Sequence, residues 1–192
     1  MSEYIKILLK IIWLIVIVYW TISSFKVKNV KKTNSLLNNI MFYWLPLFVA
    51  VMLLGPGEWF GHTWLREQFT EHSDTVGLIG LLFSSVGAII SCRARYIIGN
   101  NWSLSVQQKE NHELITNGIY KIVRHPIYLG LLNLFIGNAI IVGDYRAIIA
   151  VIIVFISFLI KIKNEEKNMI ELFGEKYDKY KKETKALIPY IY

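Results

Sequence analysis

Five long runs of apolar residues constrain the fold of this chain more than any other feature. The runs cover residues 5–25, 40–54, 76–92, 126–142 and 147–160. A transmembrane helix needs about 17 to 25 residues, so the first, third and fourth runs are long enough on their own. The second run is marginal unless the aromatic Trp59, Phe60 and Trp64 extend it. The fifth is short, but the snorkelling side chains of Lys161 and Lys163 allow it to run further. The expected fold class is all-α: an integral membrane protein with about five transmembrane helices.

The composition supports a membrane protein and excludes several other classes. Hydrophobic residues make up 54% of the chain and charged residues only 18%, whereas a soluble domain carries roughly 25% charged residues. A single cysteine, Cys92, excludes an internal disulfide framework. The sequence has no metal-ligand spacing, so we expect no metal site. The net charge of +7 does not indicate nucleic acid, because the basic residues lie between the apolar runs.

The distribution of basic residues predicts an orientation in the membrane. With five spans, all 21 lysines and arginines fall on one side except Lys6, Lys10, Arg66 and Arg146. The positive-inside rule then places the N-terminus outside and the C-terminus in the cytoplasm, although Lys6 and Lys10 favour the reverse. In a prokaryote the membrane would be the plasma membrane.

One membrane-embedded domain is expected over residues 1–192. Residues 1–92 would supply three N-terminal spans, and residues 93–192 would form a core with a helical hairpin at 126–160. The polar Gly-Asp-Tyr-Arg sequence at 143–146 favours that hairpin over one bent helix. After Lys161, apolar and aromatic residues recur every three or four positions as far as Tyr180. This spacing predicts a C-terminal amphipathic helix that continues the fifth span and covers a cytoplasmic site.

The strongest local signal is the segment 117–130, which contains Arg124, His125 and Pro126. Proline suits the first turn of a helix, so the fourth span should begin at Pro126. The residue before a proline is pushed out of the helical region, which leaves His125 extended at the helix mouth. The unpaired amides of that mouth and the charge of Arg124 would form an anion site. The alternative is that Arg124 and His125 simply face phospholipid headgroups.

A second signal is the pair Glu165 and Glu166, which follows the fifth run. Lys161 lies four residues before Glu165 and therefore on the same helix face. Adjacent carboxylates at a membrane boundary are costly unless they are paired or face a polar cavity. The alternative is an ordinary solvated helix surface with local charge pairs.

Together these segments resemble the isoprenylcysteine carboxyl methyltransferase family. The resemblance is carried by G-I-Y-x-x-x-R-H-P-x-Y-x-G, then a hairpin, then E-E-x-x-x-x-x-x-F-G-x-x-Y-x-x-Y and a closing I-P. It covers residues 99–189. The combination of motifs is specific, whereas R-H-P-x-Y alone also occurs in membrane sterol reductases and phospholipid methyltransferases. The family resemblance implies methylation of a lipid-bearing substrate by S-adenosylmethionine at the cytoplasmic face. The acceptor would be a prenylcysteine carboxylate or a related lipid acid or phenol, and the partners would be that substrate and membrane lipids.

The resemblance also implies site residues. Gln107, or its neighbour Gln108, is the candidate for a polar contact upstream of the matched positions. The expected cofactor-binding residues are Gln107, His112, Glu113, Leu114, Ile115, Tyr120, His125, Pro126, Ile127, Tyr128 and Glu165, with Arg124 added by the helix-mouth argument. The expected catalytic residues are Lys161 and Glu166. Lys161 stands where the family has an arginine, and lysine keeps the charge but lacks the planar fork.

The chemistry of S-adenosylmethionine agrees with these positions. Its carboxylate suits the helix mouth, its amino or ribose group suits Glu165, and its sulfonium suits aromatic faces such as Tyr120, Tyr128 and Trp102. A carboxylate or thiolate acceptor needs no general base, whereas a hydroxyl acceptor would need Glu166 or His125. Three alternatives stay open: a phospholipid N-methyltransferase, an NADPH-dependent membrane reductase and a non-enzymatic membrane adaptor.

Overall fold

A computed structural model describes residues 1–25, 30–33, 40–102, 107–109 and 113–191. Its helices and strands follow in chain order. They are α1 (Glu3–Ser24), β1 (Val30–Thr33), α2 (Leu45–Leu53), α3 (Asp74–Ile98), β2 (Gln107–Lys109), α4 (Pro126–Val142), α5 (Tyr145–Phe173) and α6 (Glu175–Glu183). A π-helical turn, Ile40–Trp44, precedes α2 directly. Strands β1 and β2 pair antiparallel as a two-stranded sheet.

The predicted membrane-protein fold is confirmed. Every apolar run forms a helix, and α1, α3 and α5 are long and apolar enough to cross a membrane. The helices Ile40–Leu53 and Pro126–Val142 are apolar but shorter. Helix α1 keeps most of its large apolar side chains exposed, for example Leu14 at 60%. A solvent-exposed helix in water would not carry such a surface, whereas lipid tails accept it.

Helices α3 and α4 pack closely because small residues face each other along both. A Cβ atom added at Gly87 would lie 2.5 Å from the Gly130 carbonyl oxygen, and one added at Gly137 would overlap the Gly80 carbonyl oxygen. Any larger side chain there would push the helices apart, which is the usual reason for small residues at membrane helix interfaces. This contact places the C-terminal end of α3 beside the first turn of α4.

The predicted hairpin is confirmed. Helix α4 ends at Val142, and Gly143 adopts a left-handed conformation with φ of 72° before α5 begins at Tyr145. Glycine takes this conformation without strain, so the chain reverses within two residues. Asp144 and Arg146 form a buried ion pair at the turn, with Nε and Oδ2 3.0 Å apart.

Two predictions about helix ends need correction. Trp59, Phe60 and Trp64 do not extend the second run, because α2 stops before Gly55-Pro56-Gly57 and these aromatics lie in two separate 3-10 turns. Glycine and proline there break the helical hydrogen-bond ladder. Likewise the C-terminal helix is not continuous to Tyr180, since Gly174 at φ 53° separates α5 from α6.

Helix α6 and the segment 184–187 fold back over the first turn of α4, and we call them together the C-terminal roof. Tyr177 and Tyr180 of α6 are buried at 2% and 7% exposure. The amides of Arg124 and His125 donate to the carbonyls of Lys185 (2.8 Å) and Ala186 (2.9 Å). The predicted cover over the polar segment is therefore present, and backbone hydrogen bonds hold it in place.

Candidate active site

One cavity lies where the end of α3, the segment 113–125, the first turn of α4, helix α5 and the C-terminal roof meet. It encloses about 860 Å³ that protein atoms do not occupy, part of it open to solvent. Ten of the predicted cofactor-binding residues line it: Glu113, Leu114, Ile115, Tyr120, Arg124, His125, Pro126, Ile127, Tyr128 and Glu165. Residues far apart in the chain thus converge on one space, as a ligand site requires.

Some predicted residues lie elsewhere. Glu166 and Lys161 are absent from the described lining of this cavity. Gln107 lies in strand β2, and His112 lies outside the described residues. The lining also includes residues that the motif positions did not identify as ligands: Ile98, Asn101, Met169, Tyr177 and Tyr180. The spacing F-G-x-x-Y-x-x-Y was the available signal for the two tyrosines, because it places them on one face of a helix.

Helix α4 begins at Pro126 as predicted, and His125 lies outside the helical region at φ −121°. This conformation brings the imidazole beside α5. Nδ1 of His125 lies 3.5 Å from Oε2 of Glu165, and the ring stacks on Tyr128 with centroids 5.7 Å apart. The Tyr128 hydroxyl donates a 2.6 Å hydrogen bond to Oε1 of Glu165. Both oxygens of this carboxylate are therefore held in a fixed direction at the cavity wall.

The electrostatics around His125 favour its protonated form. Burial alone would lower the pKa of His125, but the neighbouring carboxylates Glu165 and Glu166 outweigh burial and hold the pKa above its ordinary value. Nε2 is buried, lies 3.5 Å from Oε1 of Glu166, and has no hydrogen-bond partner among the described residues. His125 is therefore a cationic side chain in the cavity wall, with one ring nitrogen beside each of the two carboxylates.

Arg124 and Glu166 form a closed ion cluster at the base of the roof. Nε of Arg124 lies 2.7 Å from Oε1 of Glu166, and Nζ of Lys181 lies 2.9 Å from Oε2. Nη1 of Arg124 also donates to the carbonyl oxygens of Lys181, at 3.1 Å, and of Thr184. The structure thus differs from the expectation of a free arginine charge at the helix mouth. Arg124 lines the cavity, but its charge joins α5 to the C-terminal roof.

Tyrosines and a tryptophan form the apolar wall. Tyr120 is 4% exposed; its hydroxyl donates to the Ala94 carbonyl at 3.3 Å, and its own carbonyl accepts from Tyr180 at 2.6 Å. Burial raises the pKa of Tyr120, Tyr177 and Tyr180 well above the ordinary value of a phenol. These rings stay neutral at physiological pH, and neutral electron-rich faces attract cations. Trp102, which also lines the cavity, is 8% exposed.

Lys161 lies between two aromatic rings. Its Nζ atom is 5.1 Å from the ring centroid of Tyr43 and 5.6 Å from that of Tyr128. Tyr43 belongs to the π-helical turn before α2, and its hydroxyl accepts a 2.9 Å hydrogen bond from Asn164. Lys161 therefore connects the second apolar segment to the tyrosine that orients Glu165.

These features define an α-helical integral membrane protein with a cavity beside the mouth of a helical hairpin. Comparison with known proteins gives the particular family. The model of the isoprenylcysteine carboxyl methyltransferase family matches residues 79–171. The matched residues include the α3–α4 contact, the hairpin and Glu165, so this part of the chain is similar to that family.

Named relatives agree with this assignment. The chain is 26% identical over 185 residues to the protein-S-isoprenylcysteine O-methyltransferase of Schizosaccharomyces pombe, covering 90% of this chain and 78% of that one. It is 32% identical over 134 residues to the same-named protein of Dictyostelium discoideum, covering 67% of this chain and 56% of the relative. The chain thus spans only part of each relative's length.

A solved structure has a similar fold. It is the eukaryotic intramembrane Ras methyltransferase ICMT, which superposes with a TM-score of 0.59 at 24% identity and covers 78% of this chain and 52% of that one. The likeness supports the membrane-embedded helical fold described above.

Proposed function

We propose that this protein transfers a methyl group from S-adenosylmethionine to a lipid-bearing acceptor, in particular a prenylcysteine carboxylate or a related lipid acid. The observation that carries the proposal is the cavity itself. It brings the oriented carboxylate of Glu165, the imidazole of His125 and the aromatic wall of Tyr120 and Trp102 to one space. The match to the family model over residues 79–171 supports the same activity.

The residues present fit the chemistry of this cofactor. Glu165 is an anion that would accept hydrogen bonds from the amino or ribose groups. The positive charge of His125, which lines the cavity, would attract the carboxylate. The neutral tyrosine and tryptophan faces would contact the sulfonium. Gln107 and His112 are proposed as further contacts on the basis of the family pattern alone.

When bound, S-adenosylmethionine supplies an electrophilic methyl group. The residues of the chain align the two substrates and exclude water, and alignment provides most of the catalysis in a displacement of this kind. Both candidate bases are engaged: Glu166 pairs with Arg124 and Lys181, and His125 is held protonated. This arrangement favours an acceptor that is already anionic, such as a carboxylate, over a phenol that must first lose a proton. Lys161 is proposed to attract that anionic group.

The proposed orientation places the cavity at the cytoplasmic face, because the polar segments that build it carry most of the basic residues. An apolar tail has no reason to leave the bilayer, so the acceptor is expected to enter sideways between helices. The membrane lipids around the chain would therefore either compete with the acceptor for entry between the helices or deliver it to that entry.

The first test is calorimetric titration of the detergent-purified protein with S-adenosylhomocysteine, with NADPH as the control. The expected result is binding of S-adenosylhomocysteine alone. A transfer assay with labelled methyl donor then compares prenylcysteines and lipid acids with phenols and phospholipid amines. Binding of NADPH alone would favour a membrane reductase, and labelling of phospholipid amines alone would favour a phospholipid N-methyltransferase. If neither compound binds to protein in lipid nanodiscs, the proposal fails.

A further inference from the structure

Arg95 is a buried charge that the proposed chemistry does not use. It lies in the last turn of α3 and is only 2% exposed. It forms no ion pair with a carboxylate among the described residues. Burying a guanidinium without compensation is strongly unfavourable, so its contacts must offset that loss of hydration.

The contacts of Arg95 join two helix ends. Nη1 donates to the Gly99 carbonyl at 2.8 Å, and Nη2 donates to the Ser23 carbonyl at 2.6 Å. Gly99 is the C-terminal cap of α3, and Ser23 lies in the last turn of α1. The last carbonyls of a helix lack partners within it and carry partial negative charge, which makes them suitable ligands for a cation. One side chain therefore ties the end of α1 to the end of α3.

The third contact of Arg95 is with the cavity wall. Its Cζ atom lies 4.5 Å from the ring centroid of Trp102. Trp20 of α1 contacts the same ring nearly at right angles, with centroids 5.5 Å apart. Trp102 in turn packs with Ala94, Tyr120 and Ile127, and it lines the cavity. No residue of α1 is among the described residues that line the cavity, so α1 can act on it only through such contacts.

We infer that Arg95 is a positioning residue, which fixes the Trp102 ring in the cavity wall and couples α1 to cofactor binding. This inference rests on the proposed function, because it takes the cavity to be the cofactor site. The planar guanidinium can stack on Trp102 while its two ends reach different carbonyls. Lysine keeps the charge but cannot make this arrangement.

The experiment is a double-mutant cycle with Arg95→Lys, Trp102→Leu and the combined variant, read by calorimetric affinity for S-adenosylhomocysteine. Arg95→Lys is expected to weaken binding about fivefold, because the Trp102 ring must then be ordered when the ligand binds. Trp102→Leu is expected to weaken it about tenfold, within the range for removing an aromatic binding partner. The combined variant should lose little more than Trp102→Leu alone, because Arg95 acts through that ring. Arg93→Lys is the matched control, since Arg93 lies two residues earlier on α3 and is exposed.

Each result decides between the alternatives. Additive losses would overturn the inference, because Arg95 would then act on the cavity without Trp102. Unchanged affinity in Arg95→Lys would also overturn it, whatever happens to the thermal stability. If Arg95→Lys does not fold, Trp20→Leu takes its place in the same cycle and tests the coupling of α1 to Trp102. Failure of the wild type to bind S-adenosylhomocysteine would refute the proposed function instead, so the two failures are distinguishable.

Discussion

The two ends of the α4–α5 hairpin both bury charged side chains, but they do so in different ways. We call the end at Gly143 the turn end and the end at His125 the cavity end. At the turn end, Arg146 pairs with Asp144, donates to the carbonyls of Leu53 and Gly55 at 2.6 Å each, and lies over the Phe60 ring. The guanidinium is thus enclosed by partners from three segments of the chain.

At the cavity end the charges also have partners, but here two of the charged side chains form part of a cavity wall. Glu165 and His125 both line the cavity, and Nε2 of His125 lacks a described hydrogen-bond partner. A buried charge alone therefore does not mark a binding site in this protein. The feature that distinguishes the cavity end is that its buried charged side chains also line a cavity.

The largest expected effect is on stability at the turn end. Arg146→Met leaves Asp144 buried without its partner and should reduce the free energy of unfolding by about 3 to 5 kcal/mol. Affinity for S-adenosylhomocysteine, measured by calorimetry well below the Tm, should stay within about twofold, because a change this far from the cavity is nearly independent of it. Thermal unfolding in detergent gives the Tm, and Arg66→Met, at an exposed position, is the control. A large loss of affinity in folded Arg146→Met would show that the two ends are coupled.

Next in size is the loss of binding at the cavity end. Glu165→Ala removes the carboxylate that Tyr128 and His125 orient. Affinity for S-adenosylhomocysteine should fall about 100-fold, since hydrogen bonds to a charged group contribute roughly 1.5 to 3 kcal/mol. Glu171→Ala, exposed on the same helix, should bind like the wild type. Wild-type affinity in Glu165→Ala would remove this residue from the cofactor site.

The comparison also shows what local sequence can predict. The start of α4 at Pro126 and the turn at Gly143 depend on proline and glycine conformations, which neighbouring residues determine, and both were predicted. The pairing of Arg124 with Glu166 and the hydrogen bonds of the roof join residues 42 to 61 positions apart, so they depend on tertiary packing. For that reason the sequence predicted an unpaired charge at Arg124, whereas in the structure Arg124 pairs with Glu166. The break at Gly174 was missed because the apolar spacing continues across it.

Nine of the ten cavity residues, all except Arg124, were predicted from the family resemblance. Composition and periodicity alone did not select Leu114 or Ile115, whose side chains are chemically ordinary; the family resemblance did. By contrast, Arg95 has no signal in sequence, because its partners are backbone carbonyls and a ring. Contacts to backbone groups leave no pattern of residue types to detect.

A smaller effect on the Tm is expected when the pH is raised, because this removes only a proton from His125 at the cavity end. The carboxylates raise the pKa of His125 above its unfolded value, so the protonated ring stabilises the fold. That stabilisation is complete below the unfolded pKa of about 6.5 and is lost as pH rises through the folded pKa. We expect the difference in Tm between wild type and His125→Asn to shrink with rising pH over that interval. His62→Asn, at an exposed position, should show no such trend, and a difference that grows with pH would contradict a protonated His125.

The smallest expected effect on stability and affinity comes from substituting Lys181, the exposed member of its ion cluster with Arg124 and Glu166. The side chain of Lys181 is 43% exposed although its Nζ lies 2.9 Å from Glu166, and solvent screens such a pair to about 0.2 to 1 kcal/mol. Lys181→Ala keeps the backbone carbonyl that accepts from Arg124, so the C-terminal roof should remain in place. The Tm should fall by no more than about 2 to 4 °C, and affinity for S-adenosylhomocysteine should match that of the exposed control Lys182→Ala. A large loss of affinity would instead mean that the Lys181 charge contributes directly to the cavity end. The cavity would then depend on more than the Arg124–Glu166 pair.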